Sequence, residues 1–261
     1  AALMDGGQGG SLEADVAERR HGERAGGDRR GRLVVGGRRD VDACERDREK
    51  AKLINSDSVR LIASCSYSLG SLLVHISTDY IFDGKSGPYP EAFKPHPINF
   101  YGITKMEAEN FIIYSGCQHI IIRTSHIYGS NRDGNARIIQ TIKEKTDNGK
   151  QYWAAIDQYI NPTLASNLAQ SILELLQIDF RGILNIAGAD YLSRYEIALI
   201  IAKKFGLDRD LIIEKEMREI PLSASRPLRA GLNIDKMKMS ITTKPVGISD
   251  GIDLLRKILT S

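Results

Sequence analysis

Tyr101 and Lys105 stand four residues apart, and their types and spacing suit proton transfer. On a helix, positions i and i+4 share one face a turn apart. A free tyrosine, with a pKa of ~10, is a poor acid or base near neutral pH. An ammonium beside it favours the phenolate and brings proton transfer toward working pH. The pair alone is weak evidence, because a chain with 10 tyrosines and many lysines gives this spacing readily on a solvated helix face. Its context adds weight. Ser77-Thr78-Asp79-Tyr80 ends an apolar run, and Thr78 lies 23 residues before Tyr101. Ligands of open parallel sheets bind beyond the carboxyl ends of the strands, so Thr78 can put a hydroxyl into that crevice. By itself, Ser77-Thr78-Asp79 is also a common turn or cap pattern.

These residues need elements to hold them. Asp47 to about Ser66 reads as a helix, and Leu72–Ser77 as a short buried strand, being β-rich and almost wholly apolar. Asp83–Pro97 is a loop punctuated by Pro88, Pro90, Pro95 and Pro97. Phe100 to about Tyr114 is a helix, and His119–Arg123 a second buried strand. Helices follow at about 134–149, at 163–177 with Thr163 as N-cap, and at 193–205. The last has Ser193 as N-cap, Glu196 at the capping-box position and Gly206 as its stop. Tyr152–Ile156 and Gly182–Ile186 are further strands, and a helix spans about 248–259. Strands separated by helices imply an α/β fold with a mostly parallel sheet covered on both faces. A helical bundle would not account for the apolar β-rich runs.

The totals narrow the class. The chain has 261 residues, 42% hydrophobic and 26% charged, as soluble globular proteins do. A net charge of +3, dispersed along the sequence, does not argue for nucleic acid. The three cysteines, Cys44, Cys65 and Cys117, form no CxxC pair and no metal-ligand cluster. We therefore expect no metal site and a reducing, cytoplasmic setting. No apolar run reaches the ~18–20 residues of a membrane span. Residues 1–31 stand apart. Residues 1–40 hold 10 of the 24 glycines and 8 arginines, without Ile, Phe, Tyr, Lys, Thr, Asn or Pro. Such a stretch has little to bury, and only Leu33-Val34-Val35 there reads as a short buried strand.

The motifs together resemble the dTDP-4-dehydrorhamnose reductase family, which belongs to the extended short-chain dehydrogenases and has the regulatory beta subunit of methionine adenosyltransferase as a relative. The resemblance rests on His75–Gly84 and on Pro97–Lys105 with Glu107 and Glu109. Val41–Glu45, Ile54-Asn55, Arg123–Gly129, Asp157–Thr163, Arg226-Pro227 and Leu232-Asn233 follow in the expected order, over about residues 33–260. It implies a Rossmann-type domain at 32–150 with parts of 160–190, and a smaller substrate lobe at 151–261 interleaved with it. It implies NADPH or NADH as cofactor and a dTDP-sugar as partner, and it admits a homodimer. Tyr101 would protonate the C4 oxygen. Lys105 would lower the tyrosine's pKa and bond the nicotinamide ribose, and Thr78 would hold the keto oxygen. Cofactor contacts would fall on Gly6, Gly9, Ser77, Tyr101, Lys105 and Thr124, and substrate contacts on Tyr80, Asn99, His126 and Arg226.

Two departures from the pattern matter. Gly6 and Gly9 fit the first two glycines of a pyrophosphate-binding turn, but Leu12 stands at the third position. His126 stands where bacterial members typically carry tryptophan, which removes a stacking platform for a sugar. The alternatives to a reductase are a non-catalytic regulatory subunit and a nucleotide-sugar epimerase or dehydratase.

Overall fold

The computed structural model describes residues 31–129 and 137–260. Most of the Gly/Arg-rich segment, with Gly6 and Gly9, lies outside the described residues.

Strand β1 (Arg32–Val35) leads to α1 (Val41–Arg46), α2 (Arg48–Lys52), a π-helical turn at Leu53–Asp57, and α3 (Ser58–Leu69). This nearly unbroken helical run begins earlier than the sequence suggests, because the Asp40 carboxylate accepts from Ala43 N at 2.8 Å and caps it. Gly70, at φ 62°, ends it in the left-handed region that glycine adopts without a Cβ penalty. Next come β2 (Leu72–Thr78), a 3-10 turn at Asp79–Ile81, α4 (Phe100–Ser115), β3 (His119–Thr124) and β4 (Ile127–Tyr128). They are followed by α5 (Arg137–Asp147), β5 (Tyr152–Ala155), β6 (Tyr159–Ile160), β7 (Thr163–Leu164), α6 (Ala165–Gln177) and β8 (Gly182–Asn185). The chain closes with β9 (Leu192–Ser193), α7 (Arg194–Phe205), β10 (Ile212–Lys215), α8 (Asp235–Ser240) and α9 (Ile248–Thr260).

Among the described residues, β1, β2, β3 and β8 form one parallel sheet in that order. The strand period of two assigns its faces. Leu72, Val74, Ile120, Ile122 and Leu184 pack under α6 and the stretch from Leu232 to Ile241. Leu73 and Ile121 pack on the opposite face, against Val59 and Ala63 of α3 and Ala108 and Ile112 of α4. The fold is therefore α/β with a Rossmann-type parallel sheet buried on both faces. A second core gathers Ile139 and Ile142 of α5, Ile197 and Ile201 of α7, Ile212 of β10 and Ile252 of α9.

Two sequence expectations need correction. Leu33–Val35 is a strand but not a buried one: Val34 is 39% exposed, because β2 is the only described partner of β1. Thr163 is not a helix cap. Its hydroxyl donates to the Ser125 carbonyl at 2.6 Å within β7, and α6 starts after Leu164 without a side-chain cap. The Ser193 capping box and the Gly206 stop of α7 are both present.

Candidate functional site

The site sits where β2 ends and α4 begins. Asn99 caps α4, its Oδ1 accepting from Gly102 N at 2.8 Å while its Nδ2 donates to the Ser225 carbonyl at 2.9 Å. One amide thus fixes the helix start and ties it to the C-terminal part of the chain. Gly102 lets that start come close, since a Cβ there would lie 2.1 Å from the Tyr80 carbonyl oxygen. The first turn of α4 is therefore pressed against the turn that follows β2. Tyr101 meets Tyr80 edge-on, with ring centroids 6.0 Å apart.

The Tyr101 phenol is pushed up from its ordinary value by burial, and a hydrogen bond with the Thr78 side chain works against that rise. The Thr78 hydroxyl also accepts from Tyr80 N at 3.2 Å, which holds it in the turn against which Tyr101 packs. One turn along α4, Lys105 is 2% exposed. Its Nζ donates to the Ile76 carbonyl at 2.7 Å and sits 3.0 Å from His75 Nε2. Burial brings its pKa down to about 7, with Glu109 opposing the fall. The sequence leads one to expect that Lys105 lowers the pKa of Tyr101, yet the ammonium is turned toward β2 and the phenol stays in its acid form. Stacking of Tyr101 and Lys105 on the sheet-facing side of one helix is as the spacing requires.

Asp79 holds the surrounding loops together. One carboxylate oxygen accepts from Thr78 Oγ1 at 3.1 Å and the other from Ser125 Oγ at 2.6 Å. Burial lifts its pKa to about 6 against those two hydrogen bonds. Thr124 Oγ1 donates to Thr163 Oγ1 at 3.3 Å and so reaches the same knot. Ser77 Oγ is buried without a partner among the described residues.

The substrate-side residues divide into two groups. Tyr80 and His126 converge through two side chains that the sequence did not single out. Gln158 Nε2 donates to the Tyr80 hydroxyl at 3.4 Å, and Arg194 Nε donates to Gln158 Oε1 at 2.9 Å. Arg194 Nη1 is 3.4 Å from both ring nitrogens of His126. His126 itself adopts φ 37°, an uncommon backbone for a residue with a Cβ. Burial and Arg194 keep its imidazole neutral, well below the usual histidine range. Arg226, in contrast, spends its guanidinium on Asp42 at 2.6 Å and the Ala224 carbonyl at 2.9 Å.

Of the expected cofactor residues, Ser77, Tyr101, Lys105 and Thr124 lie among the described residues. Around Lys105, the turn after β1 comes close through glycine alone: a Cβ on Gly37 would lie 2.5 Å from Asn55 Oδ1 and 3.7 Å from Lys105 Nζ, while Gly36 faces open space. Asn55, buried in the π-turn, holds that turn by accepting from Arg38 N at 2.7 Å and donating to Thr104 Oγ1 at 3.2 Å. A glycine turn, an ammonium with a third N–H and the unpartnered Ser77 hydroxyl fit the ribose end of a nicotinamide nucleotide.

The comparisons give the family and the fold. The family model described as the RmlD substrate binding domain matches residues 10–257. The spore coat polysaccharide biosynthesis protein SpsK of Bacillus subtilis (strain 168) is 32% identical over 173 residues, covering 66% of this chain and 60% of that protein. The methionine adenosyltransferase 2 subunit beta of Xenopus laevis is 28% identical over 209 residues, 77% of this chain and 62% of that one. This chain thus spans less than two thirds of either protein. Among solved structures, dTDP-4-dehydrorhamnose reductase from Bacillus anthracis str. Ames, in complex with NADP, superposes with a TM-score of 0.79 at 25% identity, over 87% of this chain and 80% of that one. With its fold, its Thr78–Tyr101–Lys105 geometry and a family match over nearly its whole length, the chain belongs to the RmlD substrate binding domain family.

Proposed function

We propose that the chain is a nicotinamide-dependent reductase acting on the C4 ketone of a nucleoside diphosphate sugar of the dTDP-4-dehydrorhamnose type. The packing of Tyr101, on the first turn of α4, against the turn that begins at Thr78 carries this reading, with Lys105 one turn below. NADPH or NADH, held at its ribose by Lys105, Tyr101 and Ser77 beside the Gly36-Gly37 turn, supplies the hydride when bound. Tyr101 starts protonated, as burial requires, and gives its proton to the C4 oxygen. Thr78 turns to that oxygen, where negative charge develops, the hydroxyl hydrogen it otherwise gives Asp79. The Lys105 ammonium offsets the phenolate left on Tyr101. Asp79 keeps Thr78 and the Ser125 loop in register. On the sugar side, Tyr80 and His126 form the recognition set, Arg194 joins it through its contact with His126, and Asn99 and Arg226 support it by holding α4 and Asp42.

A second reading has one observation behind it, the similarity to the methionine adenosyltransferase subunit: a regulatory subunit that binds a nucleotide and reduces nothing. One experiment separates the readings. The full chain is incubated with C4-deuterated NADPH and dTDP-4-dehydrorhamnose, and the sugar product is analysed by mass spectrometry and NMR. The reductase reading expects a reduced sugar with deuterium at C4. Bound nucleotide with unchanged sugar would instead favour the regulatory reading. An isomerised or dehydrated sugar without deuterium would point to an epimerase or dehydratase.

A further inference from the structure

Lys105 is a buried cation without a carboxylate of its own. Glu109, one turn further along α4, is engaged by Arg123, whose Nη2 lies 2.7 Å from Oε2 and whose Nε lies 3.1 Å from Oε1. Two neutral acceptors hold Lys105, the Ile76 carbonyl and His75 Nε2. His75 is 0% exposed and sits in β2 between Val35 of β1 and Ile121 of β3. Its ring points to the sheet face that α3 and α4 cover. To accept from the ammonium, Nε2 must be unprotonated, which places the ring hydrogen on Nδ1. Nδ1 has no partner among the described residues. A buried imidazole with one orphan nitrogen is costly, and an apolar side chain of similar size in the same strand would avoid the penalty. What the imidazole provides in return is the Nε2 contact.

We propose that His75 is a positioning residue for Lys105: its Nε2 fixes the ammonium beneath Tyr101 and stabilises the charged form of the lysine. This inference rests on the proposed reductase chemistry for its purpose, though not for its geometry. A hydrogen bond to the charged form of a group favours that form, and burial otherwise drives Lys105 toward neutrality. His75 stays neutral itself, because burial and the adjacent Lys105 both disfavour a second charge. Glu109 of α4 acts on Lys105, Arg123 of β3 engages that carboxylate, and Cys44 of α1 and Asp79 after β2 act on Tyr101. In the turn after β1 a Cβ on Gly37 would lie 3.7 Å from Lys105 Nζ, and Arg38 and Arg39 follow it there. Removing Nε2 should therefore lower the pKa of Lys105 by about one unit, the worth of one charge-assisted hydrogen bond.

The test uses the full chain with 13C at the lysine Cε, the Lys105 signal being assigned by its loss in Lys105→Met. In His75→Leu the titration midpoint of Lys105 is expected to fall by about one unit. In His75→Gln, whose Oε1 can take the place of Nε2, it is expected to return to the wild-type value. The alkaline limb of the kcat–pH profile should move down with it in the first variant and return in the second. A midpoint equal in all three proteins, or displaced equally in both variants, overturns the assignment, since a purely structural role would not distinguish Leu from Gln. The titration needs no turnover. A wild-type chain that fails to oxidise NADPH while the midpoint moves as expected would sink the reductase reading and support the His75 assignment.

Discussion

Two buried cations lie where α4 packs on the sheet, Lys105 on the helix and Arg123 on β3, and they are treated differently. Arg123, at the end of β3, is 3% exposed and meets the Glu109 carboxylate through Nε and Nη2. Its Nη1 donates to the Glu91 carbonyl at 2.8 Å, and its guanidinium lies 5.4 Å from the centre of the Phe82 ring. Lys105 is as deeply buried yet, among the described residues, has a carbonyl and an imidazole as its acceptors. Charge, geometry and stacking are all satisfied for the arginine, which behaves as part of the scaffold. The lysine is left partly unsatisfied, its protonation is pushed toward neutrality, and it stands one helical turn from Tyr101, the proposed acid. Buried polar groups that keep an unmet demand are where function is to be sought. The planar, always-charged guanidinium suits the first task and the titratable amine the second.

The contrast can be broken by mutation. The largest stability effect is expected for Arg123→Met, which strands the Glu109 carboxylate in the interior. A loss of about 3–5 kcal/mol is expected in denaturant unfolding. A loss within the range of ordinary surface substitutions would mean that Glu109 rehydrates and that the pair is not structural.

A pH-dependent effect, smaller within any one pH unit, is expected at Lys105. Its pKa falls from an unfolded value near 10.5 to about 7 in the folded chain. Between those values the unfolded chain binds more protons, so the stability of the wild type rises with pH. Below the folded value the lysine is charged in both states and the full penalty of its burial is present. Relative to Lys105→Met, the wild type should thus gain up to about 1.4 kcal/mol per pH unit inside that window. Parallel stability–pH curves for the two proteins would show that Lys105 is not held away from its ordinary charge.

How much of this could be read in the sequence follows the range of each interaction. The β2 and β3 strands are runs of branched apolar residues, so local pattern suffices for them. Likewise the i, i+4 spacing puts Tyr101 and Lys105 on one face, and the Ser193–Glu196 box announces α7. Burial of Val34 depends on what pairs beside it, which Leu33-Val34-Val35 alone does not encode. Thr163 looks like a cap until the Ser125 carbonyl, distant in sequence, claims its hydroxyl. Gln158 and Arg194 enter the site through contacts with Tyr80 and His126, 78 and 68 residues away. No local signal marks them. His75 had one: it shares a strand face with Ser77, two residues before it in a run that is otherwise apolar. A polar ring at such a position needs a partner inside the protein, and Lys105 is that partner.

The claim that Tyr101 is the acid of a ketone reduction meets its most direct test in Tyr101→Phe. The rate of NADPH oxidation with dTDP-4-dehydrorhamnose is measured in wild type and variant, with denaturant unfolding recorded for both. The account predicts turnover in the wild type, a drop of about 10²–10⁴-fold in kcat for the variant, and little change in stability beyond the lost hydroxyl. Equal rates in the two proteins would contradict it.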